Sequence, residues 1–187
     1  MDTLKIHFSG QGISEEHIGK ILSNFSLRSY QKGDYFVEEG KRSHHLGLLL
    51  EGAFQFFVLS NGEEKTTYVA TPPAFVTSLA SFINQLPAEE YIRCIADAQV
   101  WVISYTDLKK LILDIPSFKD FYIRLLEHQI KCVDESRINF IKFTAEERYE
   151  KMLSSEPHLL HQIPLQYLAS ILGVTPRHLS RIRNKIR

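Results

Sequence analysis

Cysteine is scarce in this sequence of 187 residues: Cys94 and Cys132 are the only two. Two thiols cannot build a disulfide framework or a tetrathiolate metal site, and their spacing fits no metal motif. Both are read as buried thiols in a reducing compartment. No segment approaches the ~18 uninterrupted apolar residues of a membrane-spanning helix. The opening MDTLKIHFSGQG lacks a basic stretch followed by an apolar one, which argues against export. The expectation is a cytoplasmic protein with no membrane partner. The fingerprints of catalysis are missing too: there is no G-x-S-x-G, P-loop, H-E-x-x-H or dinucleotide motif. No nucleophile or metal site can therefore be nominated, and an enzyme is not expected. Among eight histidines, His44 and His45 are read in a turn, and His158 and His161 as surface or capping residues, so neither metal nor haem is expected.

Acid is missing from one place only. Overall the chain balances 22 Lys+Arg against 22 Asp+Glu, but after Glu156 there is no acidic residue and there are five cations. That leaves a net charge of minus five on residues 1–156, seventeen cations against twenty-two acids. The split suggests two jobs, the basic one facing a polyanion. With 44% hydrophobic residues the chain can bury a core of one to one and a half domains.

The texture changes along the chain. Leu4, Ile6, Phe8, Ile13, Ile18, Ile21, Leu22 and Phe25 mark a helical opening, with Ser14 placed to cap. From Leu27 to Ser104, short aromatic and β-branched runs alternate with turn signals such as KGDY, EEGKRS and SNGEE, the pattern of an antiparallel barrel or sandwich. Asn61-Gly62 between two such runs predicts a tight hairpin. The last strand is read as AQVWVIS, residues 98–104, followed by helical spacing that Pro116 ends. From Ser117 to Lys142 a helix of some seven turns carries apolar residues on more than one stripe, so it can pack on its own domain and on a twin. Thr144 and Glu147 then form a capping box, with Tyr149, Met152 and Leu153 facing inward.

The basic end resolves by spacing. Ile163, Leu165, Leu168, Ala169 and Leu172 suit a short amphipathic helix that stops at Gly173, where a left-handed turn is easy. Thr175 can cap the next helix and Pro176 suits its first position. Counting Leu165 as first, apolar residues stand at the fourth, eighth, tenth, fifteenth and eighteenth positions, alanine at the fifth and glycine at the ninth. This is the spacing of a helix-turn-helix. Leu179, Ile182 and Ile186 then face inward, while Arg177, His178, Ser180, Arg181, Asn184 and Lys185 project outward. Arg177, His178 and Arg181 lie where such a helix enters a major groove. Arg183, Lys185 and Arg187 sit later and suit phosphates. The competing reading is a ligand-sensing or scaffolding module whose basic hairpin docks on a protein.

A β-roll, a long helix and a C-terminal helix-turn-helix in this order resemble the Crp/Fnr superfamily of bacterial transcription regulators. The residues that carry the resemblance are YQKGDYFVEEG with Gly33 and Gly40, LLLEGAFQF with Gly52, the stretch from PPAFVTSLASF to VWVIS, and the helix-turn-helix. It implies an α+β chain divided as follows: an antiparallel β-roll (double-stranded β-helix, cyclic-nucleotide-binding-like) over 1–116, a dimerisation helix over 117–143, and a DNA-binding domain over 144–187. It further implies a homodimer along Phe118, Tyr122, Leu125, Gln129, Val133 and Phe140. That dimer would read a near-palindromic operator through Thr175, Arg177, His178, Ser180, Arg181, Arg183 and Lys185, with RNA polymerase and a small-molecule effector as further partners. Many such regulators continue into a β-wing, whereas this sequence stops at Arg187.

The ligand cassette departs from the family pattern. In cyclic-nucleotide binders a Gly-Glu pair holds the ribose and an Arg, with the residue after it, holds the phosphate. Here Thr77 and Ser78 fall at the first pair and Ala88 and Glu89 at the second. Glu89 and Glu90 in place of a guanidinium clamp would oppose anion binding by roughly a kcal/mol. The expectation is a degenerate pocket with no cofactor and no cyclic AMP, the effector being unidentified.

Overall fold

A computed structural model describes residues 2–155, 157 and 159–186. Glu156, His158 and Arg187 lie outside the described residues, as does the His161 side chain, so the readings made for His158, His161 and Arg187 are not addressed. The helical opening forms two short helices, α1 (Asp2–Ser9) and α2 (Glu15–Leu22). Ser14 caps the second by accepting from the His17 amide. Ile6, at the apolar spacing, faces solvent instead of the core.

Among the described residues six antiparallel strands follow: β1 (Ser26–Tyr30), β2 (Tyr35–Val37), β3 (His45–Ser60), β4 (Glu63–Ala70), β5 (Ala74–Val76) and β6 (Tyr91–Ser104). The expected antiparallel β-roll followed by helices, an α+β fold, is what the chain adopts. Two of the strands are long where short runs were expected. β3 and β6 pair with each other from His45 opposite Ser104 to Phe57 opposite Tyr91. β3 also carries β4 and β5 along its length, and β6 carries β1 and β2. The final strand thus begins at Tyr91, well before AQVWVIS, and His45 starts β3 instead of lying in a turn. Its polar residues Arg93 and Asp97 break up the apolar run that would have announced it.

Long strands of this kind must bend to close a roll, and β3 bends at Gly52. There φ is +89°, and an added Cβ would collide with the Asp97 carbonyl and with Ala98, so only glycine fits. The predicted hairpin joins β3 to β4 through Asn61 and Gly62, both at positive φ.

Period-two alternation sends the two faces of the long pair to different cores. Leu49, Val100 and Val102 turn inward with Val37, Phe54, Val76, Ala88, Ile92 and Cys94 to fill the roll. Leu46, Leu48 and Ile103 face a helical layer of α1, α2, α4 (Tyr105–Asp114) and the start of α5 (Pro116–Lys142). Pro116 is the first residue of α5, where its missing amide hydrogen costs nothing. A third core lies in the C-terminal helices α6 (Ala145–Ser155), α7 (Leu159–Gln162), α8 (Leu165–Ile171) and α9 (Pro176–Ile186), and Val69 of β4 and Ile95 of β6 join it. Between β5 and β6 runs a single short helix, α3 (Leu79–Asn84).

Cys94 is buried as expected, and burial pushes its thiol up to about 11. Cys132 corrects the expectation of two buried thiols: it is exposed, because α5 has by then run past the roll that covers its first turns.

His7 is half-buried among Phe8, Phe75 and Phe121, and its Nε2 is buried without a hydrogen-bond partner. Burial lowers its pKa, and burial together with Arg28 lowers that of His45. A depressed histidine pKa means the unfolded chain binds more protons, so the native state loses stability as pH falls through the ordinary imidazole value of about 6.5. Thermal unfolding between about pH 7.5 and about pH 5.5 should show the melting temperature falling with acidity, and His7→Phe should flatten that fall.

Candidate nucleic-acid interface

The chain after Lys142 is organised by caps. Thr144 and Glu147 form the expected box: Glu147 Oε2 accepts from the Thr144 amide at 2.8 Å and from its hydroxyl at 2.9 Å, while Thr144 Oγ1 accepts from the Glu147 amide at 3.3 Å. Tyr149 is buried and Met152 half-buried, but Leu153, read as inward-facing, is largely exposed.

Helix α8 ends at Ile171 with Leu172 as its C-cap, and Gly173 follows at φ +68°. The amides of Gly173 and Val174 bond back to the Ser170 and Ala169 carbonyls. Thr175 then caps α9 by accepting from the His178 amide at 3.2 Å. Leu168, Ala169, Leu172, Leu179 and Ile182 are buried, with Ile186 packed against them. The spacing read from the sequence is therefore a helix-turn-helix with its own core.

Arg148 ties this module to the long helix. Its Nη1 donates to the Phe140 carbonyl at 3.1 Å and the Phe143 carbonyl at 2.6 Å, and its Nη2 to the Leu172 carbonyl at 2.7 Å. The guanidinium carbon also lies 4.5 Å from the Phe140 ring centre. One planar cation thus satisfies carbonyls at the ends of α5 and α8 that helix geometry leaves unpaired. Nothing in the local sequence announced this role, since its partners are backbone atoms as far as 24 residues away.

On α9, Arg177, His178 and Arg181 are exposed side by side on the outward face, Asn184 is exposed beyond them, and Ser180 and Arg183 are half-buried. Lys185 departs from the expectation of a free phosphate contact. Its Nζ sits 2.7 Å from Glu146 Oε1, and that carboxylate raises its pKa. The acid missing from the end of the sequence is supplied across the fold by α6.

The residues expected to meet a twin are divided. Phe118 is buried in the protomer's own core, and Tyr122 and Leu125 pack half-buried against it, so this part of the expectation is corrected. Gln129, Val133 and Phe140 are exposed. Ile123, Leu126, Ile130, Val133, Arg137 and Phe140 instead trace a line at alternating steps of three and four, with Ile130, Val133 and Phe140 being 67%, 58% and 56% exposed.

The four cassette residues lie around α3. Ser78 is buried and donates to Glu90 at 2.8 Å. Burial raises the Glu90 pKa, against the opposing effect of that bond. Thr77 bonds Ser43 and the His45 carbonyl, and Ser81 serves the Ser43 amide and the Leu86 carbonyl. Ala88 is buried, its backbone bonding Gly40 and Lys41, and Glu89 is exposed. Within the roll, Tyr30, Phe36 and Phe54 pack ring to ring at 5.4–5.8 Å. No group of three or more His, Cys, Asp or Glu able to hold a metal occurs among the described residues, and no described helix is long and apolar enough to cross a membrane.

Gly173→Ala should destabilise the chain by about 1–2 kcal/mol in urea unfolding, because alanine is strained at this φ. Its Cβ would also press to 3.2 Å from the Phe140 ring.

Comparison with known proteins supports this architecture. Residues 27–114 match the cyclic nucleotide-binding domain. No curated protein matches the sequence. Among solved structures, the chain resembles the Thermus thermophilus catabolite activator protein at 20% identity and TM-score 0.60, covering 94% of this chain and 84% of that one. It resembles FixK2 from Bradyrhizobium japonicum at 15% identity and TM-score 0.73, covering 87% and 84%. A third is CLP, the c-di-GMP responsive global regulator of Xanthomonas campestris, at 18% identity and TM-score 0.68, covering 92% and 91%. A putative regulator from Eubacterium rectale, at 18% identity and TM-score 0.69, carries the crp/fnr family name, with 92% of this chain and 83% of that one covered. The chain therefore has the fold of the Crp/Fnr-type regulators, built around a segment that matches the cyclic nucleotide-binding domain.

Proposed function

We propose that this protein is a homodimeric DNA-binding transcription regulator, not an enzyme, whose roll does not take cyclic AMP. The observation that carries the reading is α9: three adjacent residues able to donate to base edges, Arg177, His178 and Arg181, stand exposed at the start of the second helix of a helix-turn-helix. Arg can donate two parallel hydrogen bonds to guanine in the major groove. Arg183 is the phosphate contact that remains free of a described carboxylate partner, whereas Lys185 must leave Glu146 to serve as one.

The exposed stripe on α5 supports the dimer. Its three-and-four spacing is that of a two-stranded seam, and two copies joined along it would present two reading helices to the half-sites of a near-palindrome. RNA polymerase and an effector of unidentified chemistry are the further partners of this reading.

Against cyclic AMP stand the cassette and the roll. The hydroxyls of Ser43, Thr77, Ser78 and Ser81 are bonded within the protein. Ala88 offers no guanidinium and is itself packed in the apolar interior of the roll, and Glu89 and Glu90 bring negative charge.

A gel shift on fragments selected from random duplexes tests the reading. The wild-type protein should retain a preferred sequence, and Arg177→Ala with Arg181→Ala should lose that preference. Val133→Glu should give a monomer by native mass spectrometry and lose the two-half-site complex. A complex untouched by the double arginine change would refute the assignment. In calorimetry, micromolar cyclic AMP should give no saturable heat; saturable binding that disappears in Ser78→Ala would overturn that part.

A further inference from the structure

Helix geometry ranks the outward residues of α9. The buried side chains of Leu179 and Ile182 and the packed side chain of Ile186 mark one line along the helix. At about 100° per residue, the line diametrically opposite passes within roughly 15° of Arg177 and of Asn184, with Arg181 about 50° from it. All three side chains are exposed. Ser180 stands as far off on the other side as Arg181 does, but it is short and half-buried, and Arg183 lies farther round. His178 is roughly 110° from the outward line, on the flank it shares with Lys185, and that flank leans on α6 through Glu146.

Asn184 therefore belongs to the centre of the face that a groove would meet, closer to it than His178. Asparagine is a weak helix former, because its side chain competes with the backbone for hydrogen bonds, yet it occupies an exposed position of α9. No described residue hydrogen-bonds its side chain. Among the described residues, then, nothing in the fold uses this amide.

Its chemistry is specific. A carboxamide carries a donor and an acceptor side by side, and adenine is the base whose major-groove edge offers the matching pair, the N7 acceptor and the N6 amino donor. Guanine offers two acceptors there, which suit an arginine. Axial spacing puts the contacts in order. Arg177 and Arg181 are about 6 Å apart along α9 and Asn184 stands about 4.5 Å beyond, against a rise of about 3.4 Å for each base step.

We propose that Asn184 is a further base-reading residue, specific for adenine, in a collinear row with Arg177 and Arg181. The half-site that fits this row carries two G·C pairs one or two steps apart, and an A·T pair one or two steps beyond them toward the C-terminal end of the helix. The inference rests on the DNA-reading assignment above and names the base pattern which that assignment leaves open. An uncharged amide displaces no counterions, so Asn184 adds little to affinity for DNA of arbitrary sequence. Its contribution is discrimination.

Asn184→Ala tests this without threatening the fold, because the side chain is exposed and alanine is the stronger helix former. The full chain and its variants are used to select from random duplexes. Affinities at one salt concentration are then measured for the selected duplex and for copies changed at single base pairs. For the wild-type protein, replacing the A·T pair should weaken binding roughly tenfold, within the range of one bidentate contact. Asn184→Ala should bind the selected duplex and that copy equally, keep its preference at both G·C pairs, and bind a random duplex as the wild-type protein does. The pair it relaxes should lie beyond the one relaxed by Arg181→Ala, on the side away from the one relaxed by Arg177→Ala. If every preference survives Asn184→Ala, the role of Asn184 is overturned while Arg177 and Arg181 stand as readers. Relaxation at a G·C pair, or at a pair between the two arginine positions, overturns it equally. A wild-type protein that selects no sequence overturns the DNA-reading assignment itself, and this inference with it.

Discussion

The antiparallel pairing of β3 with β6 is the constraint on which the other parts depend. Each strand is long enough to serve two shorter neighbours, and each must bend to close the roll. Their alternating faces separate the apolar side chains into a roll interior and a helical layer. The bend at Gly52 lets the same pair run from His45 near α4 to Phe57 near the helical module.

Two contacts of different kind hold the helix-turn-helix module. Arg148 joins it to the long helix by donating to the Phe140 and Phe143 carbonyls at the end of α5 and to the Leu172 carbonyl at the end of α8, with its guanidinium over the Phe140 ring. Ser170 and Val69 join it to the edge of the sheet. The first anchor belongs to the element whose exposed stripe suits a twin, the second to the element that encloses the cassette. Neither anchor uses a side chain of the outward face of α9.

Much of the site was legible because its logic is local. Gly173, Thr175 and Pro176 are turn, cap and first-turn residues within four positions, and Leu168, Leu179 and Ile182 follow helical spacing. The Thr144–Glu147 box and the Asn61-Gly62 hairpin are local for the same reason. The stripe expected to meet a twin was legible only in part: Gln129, Val133 and Phe140 are exposed, but Phe118 is buried and Tyr122 and Leu125 are half-buried. Phe118, Tyr122 and Leu125 are as apolar as Ile123, Ile130 and Val133, and only the packing of α1, α2, α4 and the roll against the start of α5 decides which of them are covered.

By itself, then, the sequence determined the order of elements, the hairpin, the helix caps and the set of cations on α9, because each depends on residues a turn or two apart. The tertiary structure alone decided which cations are free, which helix face is bare and what the buried polar groups do. Lys185 lost its independence to Glu146, 39 residues away, and Gln55 took partners on two other strands. Charge and hydrogen-bonding capacity are written in the sequence, but pairing is a matter of distance, and distance is set only when the chain has folded.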